Sequence, residues 1–256
     1  MPQHMENLWA IFFFALGTEI GSFLNVVIDR LPEGRSLIKP PSHCENCGTS
    51  LKAIDLIPIL SYLILRGRCR YCGERVTIRI PLVELATGLL LASLWIGYGP
   101  SHEFWIFGIY GSLLIAIFVI DLDHQLILNK MVYPACVFAL ATVPLRDELG
   151  FVDSVTGCAV GFFLLLAVVL VSRGGMGLGD VKLAGLMGLA LGFPIVFVGL
   201  LVGILTGGFV AIILLIMRRK GRKQAIPFGP FLAIGAMTAL IWGSTLWDWY
   251  TGNPLG

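Results

Sequence analysis

Eight apolar runs separated by short polar breaks leave this chain few folds to choose from: 8–28, 82–96, 104–120, 131–143, 155–171, 181–191, 195–217 and 228–247. The longer ones approach the length that crosses a hydrocarbon core, about 20 helical residues. In lipid a spanning backbone must satisfy its own hydrogen bonds, so each run is read as a helix. With 57% hydrophobic and 13% charged residues, the chain is expected to be an all-α polytopic membrane protein of about eight transmembrane helices. Runs 131–143 and 181–191 are short, and a partly immersed helix lining a wet cavity is expected near Asp180. A formal charge of +2 marks no nucleic-acid surface; in such a chain the placement of Lys and Arg carries the information.

No basic n-region of Lys or Arg precedes the first run and no small-residue cleavage pattern follows it, so it is read as an uncleaved anchor. An outside N-terminus puts 29–80, 121–130, 172–182 and 218–227 inside. Of the 18 Lys and Arg residues only Arg146 then lies outside, beside Asp147, Glu148 and Asp153, while the run Arg218, Arg219, Lys220, Arg222, Lys223 lies inside. Trp95, Trp105, Trp242, Trp247 and Trp249 cluster near run ends, as interface anchors do. The expected division is a first helix (1–28), an inserted cytosolic domain (29–80) and a transmembrane core (81–256).

The inserted segment carries Cys44-Glu45-Asn46-Cys47-Gly48 and Cys69-Arg70-Tyr71-Cys72-Gly73. Two Cys-x2-Cys knuckles supply the four thiolates of a tetrahedral zinc site, each glycine relaxing the turn after its second ligand. A pair of disulfides is the alternative, disfavoured in a reducing, cytosol-facing loop. A domain this small gains its stability from the metal.

Two polar breaks carry carboxylates to the same membrane face. One is Asp121-Leu122-Asp123-His124; the other is Gly175-Met176-Gly177-Leu178-Gly179-Asp180-Val181-Lys182, where Asp180 opens a helical run at its positive dipole end. If Asp121 (or Asp123) and Asp180 meet, they form a pair that shares one proton and activates water against a peptide carbonyl. Lys182 can neutralise a nearby acid. Two other readings fit the same residues: divalent-metal ligation by Asp121, Asp123, His124 and Asp180, and ion- or proton-coupled transport along intramembrane carboxylates. In the first run Glu19 and Asn25 interrupt the apolar surface near Gly17 and Gly21, a small-residue pattern of helix–helix packing.

Gly177-Leu178-Gly179-Asp180 resembles the GxGD motif of membrane aspartyl proteases, and the chain most resembles the prepilin peptidases of type IV pilus and type II secretion systems. The likeness also rests on the stretch from Gly21 through Asn25 to Pro32, the paired knuckles, Asp55-Leu56-Ile57-Pro58, Pro81-Leu82-Val83-Glu84-Leu85, Ile120-Asp121-Leu122-Asp123-His124 and Pro227-Phe228-Gly229-Pro230. It implies a bacterial inner-membrane enzyme that acts on prepilins or pseudopilins. Asp121 and Asp180 are then catalytic, with Asp123, Gly177, Gly179 and Lys182 in support. It further implies methylation of the new N-terminal amine with S-adenosylmethionine, for which Gly21, Asn25 and Arg30 are the candidate residues. The chain departs from the family at Leu128-Asn129, where Pro followed by Asp or Asn is usual, and at Glu19, commonly apolar there.

Overall fold

The computed structural model describes residues 3–146, 149–172, 176–217 and 227–252. Within them the elements are helices: α1 (Gln3–Arg30), α2 (Leu60–Ile64), α3 (Arg79–Tyr98), α4 (His102–His124), α5 (Asn129–Thr142), α6 (Phe151–Ser172), α7 (Leu178–Leu191), α8 (Val196–Ile216) and α9 (Gly229–Thr251), with two single-turn 3-10 segments. Among the described residues β-pairing is confined to isolated bridges, His43 with Ser50 and Arg68 with Arg75. Apart from the five-residue α2, the helices match the eight apolar runs. Six of them (α1, α3, α4, α6, α8 and α9) are long and apolar enough to cross a membrane. The short runs give α5 and α7, 14 residues each, about 21 Å at the helical rise and less than a bilayer core. The basic run 218–223, Asp147, Glu148 and Gly175 lie outside the described residues.

The chain forms two compact units, Met1–Ala116 and Ile117–Gly256, with α4 continuing from one into the other. In the first unit α1 lies against α3. A Cβ at Gly21 would sit 2.6 Å from the Glu84 Cα, and one at Gly17 would sit 2.6 Å from the Thr87 carbonyl oxygen. Only bare backbone permits that approach, so the Gly17/Gly21 spacing packs helices as its pattern suggests. The buried hydroxyls of Thr18 and Thr87 donate within their own helices, to Ala15 O (2.7 Å) and Val83 O (2.8 Å), and so leave no unpaired donor in the seam. Toward the other end Phe13 stacks on Trp95 at 4.5 Å and meets Phe104 edge-on at 4.6 Å. The Cys-bearing segment connects α1 to α3. Its short α2 exposes Leu60, Leu63 and Ile64.

The second unit is built around α7. From Asp180 to Leu191 every residue except Lys182 is buried, so this helix has no side for lipid. Two glycine contacts bring α6 against it: Gly157 meets Gly188, and Gly161 meets the Ala184 carbonyl. The Ser154 hydroxyl donates to Leu189 O at 2.8 Å, and Phe193 N–H donates to Asp153 O at 2.8 Å. The Arg146 guanidinium donates to Ala190 O, placing a cation on the carbonyls that end α7. Helices α8 and α9 approach through Gly199, Gly203 and Gly235. Leu205, Phe209 and Ile216 of α8 are exposed, the apolar outside expected of a helix solvated by hydrocarbon.

Candidate active site and metal centre

Asp121 and Asp180 come within electrostatic reach of each other in the second unit. Both are buried, at 4% and 7% exposure, and their carboxyl groups are near enough to repel each other electrostatically. Each is held by a backbone amide. Asp180, the third residue of α7, reaches back to the N–H of Gly177, the residue that caps the helix, at 3.3 Å; this is half of a capping box. Asp121 accepts from the N–H of Gly229, the first residue of α9. Two carboxylates thus lie against the positive ends of two helices, which stabilises the charge of whichever one is ionised.

The glycines of both motifs follow from crowding. A Cβ at Gly229 would stand 2.5 Å from Asp121 Oδ2 and 3.1 Å from Ile127 Cδ1; one at Gly179 would stand 3.0 Å from Ile127 Cβ. Ile127 therefore wedges between the two glycines beside the carboxylates, a role no polar-residue pattern announces. Gly177 has ordinary extended backbone, φ −81°, and contributes its N–H. Asp123 and His124 are exposed, outside the buried pair. Lys182 donates to Asn129 Oδ1 at 3.0 Å and sits 5.9 Å from the Tyr133 ring centre; it ties α7 to the start of α5. Leu128 takes φ −77° just before that start, a value proline also adopts, so the departure from the family's usual residue keeps the turn.

In the first unit the Sγ atoms of Cys44, Cys47, Cys69 and Cys72 lie within 4.8 Å of one another; among the described residues this is the one convergent cluster of three or more metal-ligating side chains. Cys44 and Cys72 sulfurs are 3.8 Å apart, the edge of a tetrahedron with about 2.3 Å Zn–S bonds. The four thiols fit structural zinc. The two knuckles share one backbone pattern. Gly48 N–H donates to Cys44 O (2.8 Å) and Gly73 N–H to Cys69 O (3.0 Å), and both glycines have positive φ, 67° and 76°. Hydrogen bonds from the Thr49 hydroxyl and amide bring the Cys47 thiol down to about 6, so a ready thiolate is available at neutral pH. Asp55 clamps the second knuckle, accepting from Arg70 Nε at 2.5 Å and the Tyr71 hydroxyl at 2.9 Å.

A cavity of about 990 Å³ lies between this metal centre and the α1–α3 pair, at the upper end of small-ligand pockets. Asn25 and Arg30 line it; Gly21 does not, its place being the close approach to Glu84. Asn25 Nδ2 donates to Gly21 O (3.2 Å) and Ile80 O (3.1 Å), while its buried Oδ1 has no partner. Arg30 is buried and donates to Ser36 O. A guanidinium on this wall suits the carboxylate of a ligand such as S-adenosylmethionine.

Residues 15–98 match the Bacterial Peptidase A24 N-terminal domain, and residues 108–212 match the Type IV leader peptidase family. Proteins named prepilin leader peptidase/N-methyltransferase are similar over nearly their whole length. The one from Aeromonas hydrophila is 35% identical over 96% of this chain and 94% of its own, and the one from Bacillus subtilis is 31% identical over 95% and 98%. The Pseudomonas putida protein of the same name is 34% identical over 91% and 90%. No solved structure matches the chain. Motifs, fold and relatives agree, and the chain is a multi-pass membrane protease belonging to the bacterial type IV leader peptidase family.

Proposed function

We propose that this enzyme cuts the basic leader from type IV prepilins or type II secretion pseudopilins at the cytosolic membrane face, with Asp121 and Asp180 as its acid/base pair. The observation that carries it is two buried carboxylates within electrostatic reach of each other, each anchored by an amide that opens a helix. One carboxylate takes a proton from water as the oxygen attacks the scissile carbonyl. The other, protonated, supplies the proton that the departing amine needs. The amides of Gly177 and Gly229 occupy one acceptor position on each acid and fix the carboxyl planes. A prepilin leader is short and basic and the segment after the cut is an apolar helix, so the scissile bond lies where a helix enters the bilayer. Zinc held by Cys44, Cys47, Cys69 and Cys72 is structural in this reading.

The same reading includes N-methylation of the new N-terminus. When bound, S-adenosylmethionine supplies an electrophilic methyl group on sulfonium sulfur. Arg30 would hold its carboxylate, with Asn25 on the same wall and Gly21 setting the helix spacing. Incubating purified protein with a prepilin and S-adenosylmethionine, followed by mass spectrometry of the product N-terminus, reads both reactions. Asp121→Asn and Asp180→Asn are each expected to lower cleavage by about 10²–10⁴-fold, the usual contribution of a positioned acid or base, whereas Asp123→Asn loses less. Near-normal turnover by Asp180→Asn would remove the dyad and favour a transport role for the carboxylates.

A further inference from the structure

The cavity beneath the metal centre has two chemically different ends. Arg30 and Arg79 stand at the outer end of the cavity, where α1 stops and α3 begins, and Arg79 is paired with Asp29. Deeper along the helices the lining changes to Glu19, Ser22, Asn25 and Glu84. Residues 19, 22 and 25 recur every third position and so follow one face of α1. Glu19 lies about 16 Å along the helix from Arg30, at 1.5 Å per residue.

This inner end offers acceptors. Both protons of the Asn25 amide go to main-chain oxygens, which fixes its orientation, since neither partner can donate. Its Oδ1, in a side chain that is 6% exposed and lines the cavity, has no hydrogen-bond partner among the described residues. Glu84 is 4% exposed and accepts from Ile59 N–H at 2.8 Å and from the Ser22 hydroxyl, leaving further lone pairs on its carboxylate. Glu19 faces the same space, has no ion-pair partner among the described residues, and lies within electrostatic reach of Glu84. A carboxylate in the middle of a membrane helix is retained where a cation visits it.

We infer that Asn25 Oδ1, Glu84 and Glu19 form a pocket for a primary ammonium, the α-amine that cleavage creates on the substrate, and that Glu84 takes the proton this amine must lose before methyl transfer. The inference rests on the methyl-transfer reading. The donor also carries an α-ammonium, but next to its own carboxylate; with that carboxylate on Arg30, its ammonium stays at the outer end. Chemistry requires a base here, because an ammonium has no lone pair. One proton passes from nitrogen to the Glu84 carboxylate, and the freed lone pair forms the N–C bond. The C–S bond breaks as this happens, its electron pair staying on sulfur, which becomes a neutral thioether. The product leaves as an N-methylammonium, and Glu84 returns its proton to water.

The test uses purified full-length protein and a synthetic peptide that begins at the mature N-terminus, with its amine free or acetylated, so that no cleavage is needed. Wild-type protein is expected to bind the free-amine peptide about tenfold more tightly than the acetylated one, the scale of a charge-assisted hydrogen bond. Glu84→Gln, which can still accept from Ile59 N–H, should erase that preference and lower the methylated fraction by a similar factor, while binding of S-adenosylmethionine persists. Glu19→Gln should shrink the preference, and Glu84→Asp should restore part of the methylation. Retained zinc identifies folded variants. Free-amine preference and methylation that survive in both Gln variants would overturn the pocket. Loss of donor binding in Glu84→Gln with the peptide preference intact would assign the ammonium to the donor and overturn it equally. A wild-type preference for the free amine without any methylation would uphold the pocket and remove the methyl-transfer reading instead.

Discussion

Gly229 constrains Asp121 on two counts, by donating its amide to the carboxylate and by leaving room for it. Gly229→Ala puts a methyl group 2.5 Å from Oδ2 and forces the acid aside. Displacing a catalytic group by an ångström costs about 10²-fold, so cleavage should fall on that scale while the thermal transition of the detergent-purified protein shows the fold intact. On the proposed mechanism the pair works with one proton, so cleavage plotted against pH should be bell-shaped, with two apparent constants belonging to the pair; a flat profile over the range where the protein stays folded would count against the shared proton. A different pH dependence belongs to Asp55. Burial raises its pKa, but hydrogen bonds from Arg70 and Tyr71 outweigh that and hold it below the ordinary 3.8. With the folded value lowered, its contribution to the second knuckle is complete above 3.8 and disappears as pH falls through the folded value. Asp55→Asn should therefore flatten the acid limb of a zinc-release titration.

At the level of elements, the small-residue seam between α1 and α3 can be weighed against an open position near the end of α3. Gly21→Ala meets the Glu84 backbone at 2.6 Å, which cannot rotate away, whereas a Cβ at Gly97 meets nothing within 4 Å. Overpacking of this kind costs about 1–3 kcal/mol. Gly21→Ala should lower the melting temperature and Gly97→Ala should not, as thermal unfolding in detergent would show. The helices and the metal centre were legible because their signals are local: apolar length marks a span, and Cys-x2-Cys followed by Gly encodes the knuckle, positive φ included. The two aspartates were legible because charge is expensive in lipid. Gly229 and Ile127 were not, since their importance comes from what folding brings beside them; Ile127 looks like any apolar residue before α5. Glu84 stood inside a noted motif with no role attached, and its neighbours Asn25 and Ser22 come from another helix. The apolar turn Leu60, Leu63, Ile64 was submerged in a segment that reads as polar and basic overall.

For the whole molecule, the distribution of Lys and Arg supports placing the metal domain and the dyad in the cytosol and the N-terminus outside. Lys39 and His102 are both exposed and fall on opposite faces in that arrangement. A membrane-impermeant thiol reagent applied to intact spheroplasts should label Cys introduced at His102 and spare Cys introduced at Lys39 until the membrane is opened; the reverse pattern would invert the topology. The encasement of α7 has a bearing on how such a protein is made. A helix of 14 residues buried from Asp180 to its last turn takes its walls from α5 and α6, which precede it, and from α8 and α9, which follow. Asp121 obtains its amide from the opening residue of α9. An intermediate that has not yet acquired α9 therefore lacks both the amide that Asp121 accepts and one wall of α7, so on the proposed mechanism the acid pair is completed only when the last helix packs.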